Sequence, residues 1–296
     1  MNTALVGYTQ DASGQDALAL GRLIARHAAA RLLVCTVVPE AWAHPSLGAV
    51  DQEYAAYLEE HAQETLESAR AALEDVPDVQ YLRQAANSAT TGLSEAAAQH
   101  GADLIVLGSS HSGSSGRLSL GSMSSELLHL SSLPVALAPR DYAAQAPANG
   151  HITRLSCAYA GTEVSNTTVL EALRLATLLG VPLRLVAFAV RDRQMYPSLA
   201  GFKAENMIVD AWRERTGAAL ERLKEQLAGV TPPIESVMAD GEGWDAALSN
   251  VEWQPGELLA LGSSRMGVLK RVFLGSNASK IMRAAPVPVL VLPKVG

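Results

Sequence analysis

The chain of 296 residues repeats itself, and this repeat is the feature that most limits the folds it can adopt. The segment "DLIVLGSS" at 103–110 corresponds to "ELLALGSS" at 257–264, at an offset of 154 residues. Gly121 and Gly275, each followed by a serine, keep the same offset. A constant register over most of each half indicates one structural unit present twice.

The two copies predict two domains joined by a short connection. Near the start of each copy the offset is 151, because Tyr8 corresponds to Tyr159, so the second copy has extra residues in its middle. The stretch between the copies is polar and rich in Ala, Pro and Gly, which is typical of a linker. We therefore predict a first domain at 1–140, a linker at 141–151 and a second domain at 152–296.

Within each copy, short apolar runs alternate with segments of helical periodicity. The first copy contains the runs "TALVGY", "RLLVCTVV" and "DLIVLG", which are apolar at almost every position. Strands of this kind occur in parallel sheets that are covered by helices on both faces. We predict an α/β fold in which each copy forms a five-stranded parallel sheet. Ligands of such sheets bind beyond the carboxyl ends of the strands.

The composition excludes several classes of protein. With 23 Lys and Arg against 30 Asp and Glu, the net charge is −7, which argues against a nucleic-acid-binding protein with a broad basic face. Cys35 and Cys157 lie inside apolar runs, which predicts buried free thiols. No apolar run reaches the length of about 18 residues that a membrane span needs, and no positively charged leader is present. We expect a cytoplasmic protein.

The loop that follows the fourth strand of the second copy is rich in glycine and positive charge. Gly262 predicts a turn with positive φ directly after the strand, and Gly267 predicts a second flexible point. Arg265, Lys270 and Arg271 lie in this loop, and the chain has no Asp or Glu from Gly262 onward. Cations of this kind in a glycine-rich loop predict a site for a polyanion.

The next helix is predicted to begin at Gly275, Ser276 and Asn277. Free N–H groups and the positive dipole end at such a position favour a phosphate group. Ser276 either adds a hydroxyl donor to the ligand or caps the helix. Lys280 and Arg283 either add positive charge to the site or lie on a solvated face of the helix.

The equivalent loop of the first copy keeps the glycines Gly108, Gly113 and Gly121, with Ser109 and Ser122 beside them. It has one arginine before Gly121, where the second copy has three cations. The second copy is therefore predicted to bind a polyanion more strongly. A glycine- and serine-rich loop between a strand and a helix can also be a simple connection.

The pattern G-x2-G-x9-G-[S/T] after a fourth parallel strand resembles that of the universal stress protein family, and the duplicated unit is similar to its tandem members. The resemblance covers essentially the whole chain. It implies two Rossmann-like domains of the adenine nucleotide alpha hydrolase-like type. It also implies a stress-response protein that binds ATP, ADP or AMP, with Mg²⁺ as a companion of the nucleotide. The last strands are implied to meet antiparallel as an intramolecular pseudo-dimer, and a further homodimer is left open.

The chain departs from the family pattern at two positions in each copy. The inner glycine of the family motif corresponds to His111 in the first copy and to Arg265 in the second. ATP-binding members carry an Asp after the first strand, near the ribose and the base. That position holds Thr9 in the first copy and Ala160 in the second.

The adenine-facing position of the second strand corresponds to Val37 and Phe188, and both also suit a plain core. The phosphate end therefore matches best in the second copy, and the base end matches slightly better in the first. The residues predicted to bind nucleotide are Gly262, Ser263, Ser264, Arg265, Gly267, Gly275, Ser276 and Asn277 in the second copy and Thr9, Val37, Gly108, Ser109, Gly113, Gly121 and Ser122 in the first.

No catalytic residue or metal site is predicted. The seven histidines lack the spacing of zinc ligands, no Gly-x-Ser-x-Gly elbow is present, and no base lies beside a serine in the sequence. At most, slow ATP hydrolysis is expected. Two functions remain open from the sequence: a nucleotide-binding regulator of the stress response, or a scaffold that binds no nucleotide and acts through unidentified protein partners.

Overall fold

The chain divides into two compact units, Met1–His151 and Ile152–Gly296. The boundary falls at the end of the stretch predicted as a linker. The structure is a computed structural model, and it describes residues 1–40, 50–110, 112, 114–147, 150–191, 199–265 and 272–293.

The first unit is a parallel sheet with helices packed against it. Its strands are β1 Thr3–Gly7, β2 Arg31–Pro39, β3 Val79–Ala86, β4 Leu104–Gly108 and β5 Val135–Ala138. Its helices are α1 Ala12–Ala28, α2 Val50–Ala72, α3 Ala89–Gln99, α4 Ser122–Leu130 and α5 Tyr142–Gln145. The strands pair in parallel in the order β3-β2-β1-β4-β5, so the predicted α/β fold is confirmed.

The second unit repeats this arrangement. Its strands are β6 Arg154–Tyr159, β7 Leu183–Arg191, β8 Ile234–Glu242, β9 Glu257–Gly262, β10 Ser264–Arg265, β11 Val272–Phe273 and β12 Val289–Leu292. Its helices are α6 Glu163–Leu179, α7 Leu199–Gln226, α8 Trp244–Ser249 and α9 Ser276–Ala284. The main strands pair in parallel in the order β12-β9-β6-β7-β8, and β10 pairs antiparallel with β11. Of the helices placed in either unit, none has both the length and the apolar character needed to cross a membrane.

The core of each unit consists of the apolar strands and the inward faces of the helices. Leu5 and Leu155, on the first strand of each unit, are fully buried. The predicted buried free thiols are confirmed, because Cys35 and Cys157 are both unpaired and buried. Burial raises the pKa of each thiol to about 12, since a thiolate loses its hydration in an apolar environment.

The glycines at the ends of β4 and β9 allow a helix to approach the strand closely. A Cβ atom on Gly108 would lie 1.9 Å from the carbonyl oxygen of Ser13, and one on Gly262 would lie 2.1 Å from Oγ1 of Thr168. Neither glycine has a positive φ. The predicted positive-φ turn at Gly262 is therefore wrong, because the strand continues through this residue and pairs with Leu292.

Part of the stretch predicted as a linker is folded against the first unit. Helix α5 lies in this stretch, and its Tyr142 is buried. The carboxylate of Asp16, on α1, accepts hydrogen bonds from the backbone N–H groups of Asp141 at 2.9 Å and Ala143 at 2.8 Å. Burial raises the pKa of Asp16 against the opposing effect of these bonds. The polar composition did not reveal this docking, because the acceptor lies more than a hundred residues away in the sequence.

A buried ionic cluster joins three strands of the second unit at their amino ends. Glu257 on β9 is fully buried and lies 2.8 Å from Arg154 of β6 and 2.6 Å from Arg184 of β7. Ser156 donates a further hydrogen bond to the same carboxylate. Burial lowers the pKa of Arg184. Removing one partner would leave an unpaired buried charge, and the cluster connects three strands whose opposite ends form the cavity described next.

Candidate functional site

A cavity of about 440 Å³ opens at the carboxyl ends of β6, β7 and β9 in the second unit. Its volume lies within the range of small-molecule binding sites. Strand β6 lies between β9 and β7. The chain adds β7 and β8 on one side of β6 and then adds β9 on its other side, so the strand order reverses at β6. Open α/β sheets bind ligands at such a switch point.

One wall of the cavity is aromatic. It is formed by Phe188 at the end of β7, Trp212 on α7 and Trp244 at the first position of α8. The ring centroids of Phe188 and Trp244 are 6.0 Å apart and the rings are tilted by 57°. Aromatic faces in this arrangement suit a flat ring.

Trp244, one of the residues that line the cavity, has a buried indole nitrogen. Its Nε1 is buried and forms no hydrogen bond within the part of the chain that the structure describes. A buried donor without an acceptor costs about 1–3 kcal/mol. An acceptor placed against this atom by a rearrangement of the cavity wall would remove this cost.

The start of α6 forms the opposite side of the cavity, where the polar groups already have partners. The hydroxyl of Thr162 accepts a hydrogen bond from the backbone N–H of Ser165 at 3.2 Å, and the Ser165 hydroxyl donates to the Thr162 carbonyl at 2.7 Å. Tyr159 is buried and donates to Asn166 at 3.1 Å. Burial raises the pKa of Tyr159, with the charge of Arg222 opposing it, so its hydroxyl stays neutral at physiological pH.

The third side of the cavity brings together two of the predicted residues, Gly262 and Asn277. Helix α9 begins at Ser276. Its N-cap residue is Gly275, with φ −57° and ψ 157°, and no side chain of the described residues caps the start of the helix. A Cβ atom on Gly275 would meet nothing within 4 Å. Gly275, Ser276 and Asn277 are exposed, and the first N–H groups of a helix have no acceptor within the helix, which is what an anion site at a helix start requires.

The structure bears on the capping role predicted for Ser276. The N-cap residue of α9 is Gly275, so Ser276 does not cap the helix and its exposed hydroxyl remains a candidate donor. Ser122 in the first unit is also the first helical residue after a glycine N-cap and is also exposed. These two serines form a matched pair for experiments.

The remaining predicted residues of the second loop lie in different surroundings. Ser263 is buried, and its hydroxyl donates to the carbonyl of Leu292 at 3.0 Å, so it is engaged with β12. Ser264 and Arg265 form β10. The loop residues singled out in the sequence that lie outside the described part of the chain are His111, Gly113, Gly267, Lys270 and Arg271.

Serine hydroxyl groups in the loop after β4 of the first unit form hydrogen bonds within the loop. Ser109 is buried, and its Oγ accepts a hydrogen bond from the backbone N–H of Ser119 at 2.8 Å. The hydroxyl oxygens of Ser110, Ser112 and Ser119 lie 2.8 to 3.4 Å from one another. Gly108 ends β4, and Gly121 precedes α4.

Thr9 and Val37, predicted to lie near the nucleotide base in the first unit, differ in their surroundings from the corresponding residues of the second unit. Thr9 is exposed. Val37 packs under α3, because a Cβ atom on Gly92 would lie 2.6 Å from Cγ1 of Val37. The corresponding Phe188 lines the cavity, so the aromatic surface belongs to the second unit.

Sequence reasoning missed Trp212 and Trp244. They are far apart in the chain and belong to no short motif, so periodicity does not connect them. Trp244 carried a usable signal, because it begins the helix that directly follows a strand. A large aromatic residue at the carboxyl edge of a parallel sheet lies where ligands bind.

The described cavity wall offers no metal ligands of the usual kind. It contains no Asp, Glu, His or Cys. Across the described residues as a whole, no group of three or more such side chains could hold a metal ion.

Comparison with known proteins agrees with the duplicated architecture. The model of the universal stress protein family matches residues 1–139 and 151–293. Universal stress proteins of Mycobacterium tuberculosis and Mycobacterium bovis are each 40% identical over 294 residues, covering 98% of this chain and 99% of theirs. The crystal structure of a universal stress protein from Archaeoglobus fulgidus has a TM-score of 0.63 at 17% identity, covering 99% of this chain and 98% of its own. A family match in each half and relatives of nearly equal length lead to one conclusion: the chain belongs to the universal stress protein family, as a tandem member with two family domains.

Proposed function

We propose that this chain is a stress-response regulator that binds an adenine nucleotide in the cavity of its second unit. The observation that carries the proposal is the pairing of an aromatic wall, which includes an unsatisfied Trp244 donor, with the open start of α9. A nucleotide has a flat base at one end and an anion at the other. ATP, ADP and AMP all have this form.

The base is expected to lie against Phe188, Trp212 and Trp244. Stacking of a base on an aromatic side chain contributes about 1–3 kcal/mol. Since an indole N–H can only donate, Trp244 would select a ligand with an acceptor at that point, such as a ring nitrogen or a ribose oxygen.

The phosphate groups are expected to lie at the start of α9, beside Gly275, Ser276 and Asn277. Arg265, Lys270 and Arg271 precede this helix in the sequence and would add positive charge. A polyanion gains both from the N–H groups and from the helix dipole at this position.

Occupancy of the site is the proposed signal. No carboxylate, imidazole or thiol lines the described cavity wall, so the chain offers no group there to activate a water molecule. Mg²⁺ would be held by the phosphate oxygens of the nucleotide. AMP, which binds Mg²⁺ weakly, should therefore bind without added metal.

Thermal unfolding with and without ATP, ADP or AMP tests the proposal. A ligand at a hundredfold excess over its Kd stabilises the folded state by about 2.7 kcal/mol. Ser276→Asp places a carboxylate at the proposed phosphate position and should abolish most of this shift. It should not destabilise the free protein, since an acidic residue is favourable in the first turn of a helix.

Ser122→Asp is the matched control, because it makes the same change at the start of α4. We expect it to leave the nucleotide shift unchanged. Equal loss in both variants would contradict a site confined to the second unit. An unchanged melt of the wild type with all three nucleotides would contradict the proposal and favour a scaffold that acts through protein partners.

A further inference from the structure

Helix α7 contributes Trp212 to the cavity of the second unit, and Trp212 is partly buried there. Of the side chains of α7 whose burial the structure describes, the buried ones are Thr216, Leu220 and Leu223. Their spacing of four and three residues puts them on one face of the helix. The anchored part of α7 therefore begins at Thr216, and Trp212 lies about one turn before it.

The part of α7 before Thr216 is mostly uncovered. We call residues 207–215 the arm. Among its described side chains, Trp212 and Arg213 are partly buried. The described side chains of the arm that are exposed are Met207, Asp210, Ala211, Glu214 and Arg215. Two neighbouring side chains therefore account for the burial of the arm within the described structure.

Arg213 connects the arm to strand β8 through an ion pair with Asp240. The end of β8 is packed closely against α8, since a Cβ atom on Gly241 would lie 2.4 Å from a backbone nitrogen of that helix. Helix α8 begins with Trp244. The ion pair therefore joins the helix that carries Trp212 to the elements that carry Trp244, and both tryptophans line the cavity.

The ion pair between Arg213 and Asp240 is of a kind that can open. The two side chains are 35% and 58% exposed. Ion pairs at such positions contribute little to stability, because water solvates both charges and salt screens them. Arg213 also lies 3.2 Å from Asp210 of its own helix, so its charge keeps a partner if α7 and β8 separate.

Gly217 lies directly after the first anchoring residue of α7. A Cβ atom on Gly217 would have Cε of Met238 as its nearest neighbour among the described atoms, at 3.9 Å. In other helices, a Cβ on Gly21 would lie 2.5 Å from Cγ2 of Val6, and one on Gly92 would lie 2.6 Å from a valine methyl group. Packing therefore explains the absence of a side chain in those helices and does not explain it at Gly217.

The long helix of the first unit differs from α7 in this respect. Helix α2, from Val50 to Ala72, contains no glycine. A glycine in a helix interior weakens the helix relative to alanine, because it leaves the backbone more freedom. The long helix of this fold therefore does not require a weak point. In α7 the weak point follows the cavity residue Trp212 by five positions.

We propose that the arm of α7 is a lid of the cavity, which pivots at Gly217 and is held against β8 by the ion pair between Arg213 and Asp240. Opening would move Trp212 away from the other lining residues and widen the mouth of the cavity. Hinges of this kind consist of a few residues that absorb a change in backbone angles. The inference deepens the proposed function and rests on it, since it assigns ligand exchange at the same site to a moving helix.

Thiol labelling of nucleotide-free protein tests the lid without a ligand. Thr168→Cys places a thiol of nearly the same size at a buried position that lines the cavity. N-ethylmaleimide is uncharged and should reach this thiol when the lid opens. The native thiols of Cys35 and Cys157 are buried, and labelling of the wild type gives their background rate.

Two substitutions in the Thr168→Cys protein should change the labelling rate in opposite directions. Gly217→Ala should slow labelling about fivefold, because alanine stabilises the helical form of the pivot. Asp240→Asn should speed it about threefold, because it removes the ion pair, and about 1 M NaCl should act in the same direction. Equal labelling rates in the parent and both variants would overturn the proposal.

Moving the glycine tests the pivot itself. Gly217→Ala with Ala218→Gly shifts the glycine by one residue and leaves the composition unchanged, and Ala218 is exposed. Labelling should return to the rate of the parent protein. A rate that stays slow would overturn a pivot based on backbone freedom.

Glu221→Gly is the matched control, because it places a glycine in the part of α7 that Leu220 and Leu223 anchor. Labelling should proceed at the rate of the parent protein. Faster labelling in this control would show that general unfolding exposes the thiol, and it would contradict the lid.

Stopped-flow measurement of AMP binding separates the lid from the proposed function. Gly217→Ala should slow association and dissociation about fivefold each and leave the Kd unchanged, since the same opening precedes entry and release. Labelling that responds as expected in a protein that binds no AMP would support the lid and contradict the proposed nucleotide. AMP binding with labelling rates that do not respond would support the nucleotide and overturn the lid.

Discussion

The two units share a fold and differ in what lies beyond the carboxyl ends of their strands. In the first unit, the hydroxyls of Ser110, Ser112 and Ser119 bond to one another in the loop after β4. In the second unit, the corresponding edge holds a cavity with Phe188 and Trp244 in its wall. The two units therefore share a backbone architecture while the side chains at this edge differ.

This difference separates two roles of glycine that look alike in the sequence. Gly108 and Gly262 serve the same purpose in their two units. Each lacks a Cβ where a helix packs closely against the end of a strand. Gly275 has no packing reason, since a Cβ there would meet nothing. The first two glycines allow helix packing, whereas Gly275 leaves free space at the start of α9.

Alanine at the two close-approach glycines should give the largest effects. Gly108→Ala would place Cβ against a helix backbone, whereas Gly262→Ala would place it against a Thr168 side chain that can rotate. We expect losses of unfolding free energy of about 3 kcal/mol for the first and about 2 kcal/mol for the second. Urea unfolding measures both.

Gly275→Ala is the control for this pair, with an expected loss below about 1 kcal/mol from the poorer N-cap. Equal losses at Gly108, Gly262 and Gly275 would contradict the assignment of the first two glycines to helix packing.

Phe188→Val introduces into the second unit the residue type that occupies the equivalent position of the first unit, Val37. Loss of one aromatic face should weaken nucleotide binding about tenfold, in line with the worth of one stacking contact. Isothermal titration calorimetry measures the Kd. Val37→Ala should leave the Kd unchanged, and a weaker affinity in that variant would place the site in the first unit.

Trp244→Phe should change stability and affinity in opposite directions. Without nucleotide, the free energy of unfolding should rise by about 1 kcal/mol, because a buried donor without an acceptor is removed. With nucleotide, the Kd should rise about threefold through the loss of one hydrogen bond. Thermal melts at several nucleotide concentrations give both quantities.

Trp253→Phe provides the contrast in the same unit, because the indole of Trp253 donates to the carbonyl of Leu248 at 2.8 Å. This variant should lose stability and keep its affinity. A parallel response of the two tryptophans would show that Trp244 has no ligand-facing donor.

Ala160→Asp should have the smallest effect, and in the direction of tighter binding. Residue 160 is exposed, lines the cavity and holds the position at which the family resemblance leads us to expect an Asp. Hydrogen bonds from ribose hydroxyls, partly offset by repulsion from the phosphates, should lower the Kd about threefold. Calorimetry with adenosine and AMP checks this; weaker binding of adenosine would mean that the ribose lies elsewhere.

The sequence was sufficient for the fold because the signal was local and occurred twice. Apolar runs and helical periodicity predicted alternating strands and helices, and the constant offset predicted the second unit from the first. Helix α5 was missed because its docking depends on Asp16, a distant residue on α1. The short strands β10 and β11 were missed because two-residue pairings leave no periodicity.

The candidate site was predictable only in part. The architecture predicted a site at the carboxyl ends of the strands, and the cavity that opens there is lined by Gly262 and Asn277. Trp212 and Trp244 come from two separate helices, and only the folded chain brings them together. Ser263, although part of the motif, donates to Leu292 in β12, which the spacing of residues could not indicate.

The buried thiols have a consequence for oxidative conditions. Peroxide attacks the thiolate form of cysteine, and that form is scarce at neutral pH for Cys35 and Cys157, whose pKa values are about 12. Met207, by contrast, is 73% exposed. An oxidant would therefore convert this methionine, on the surface of α7, to its sulfoxide while both cysteines stayed reduced. The hydrophobic core would remain intact during treatment with the oxidant.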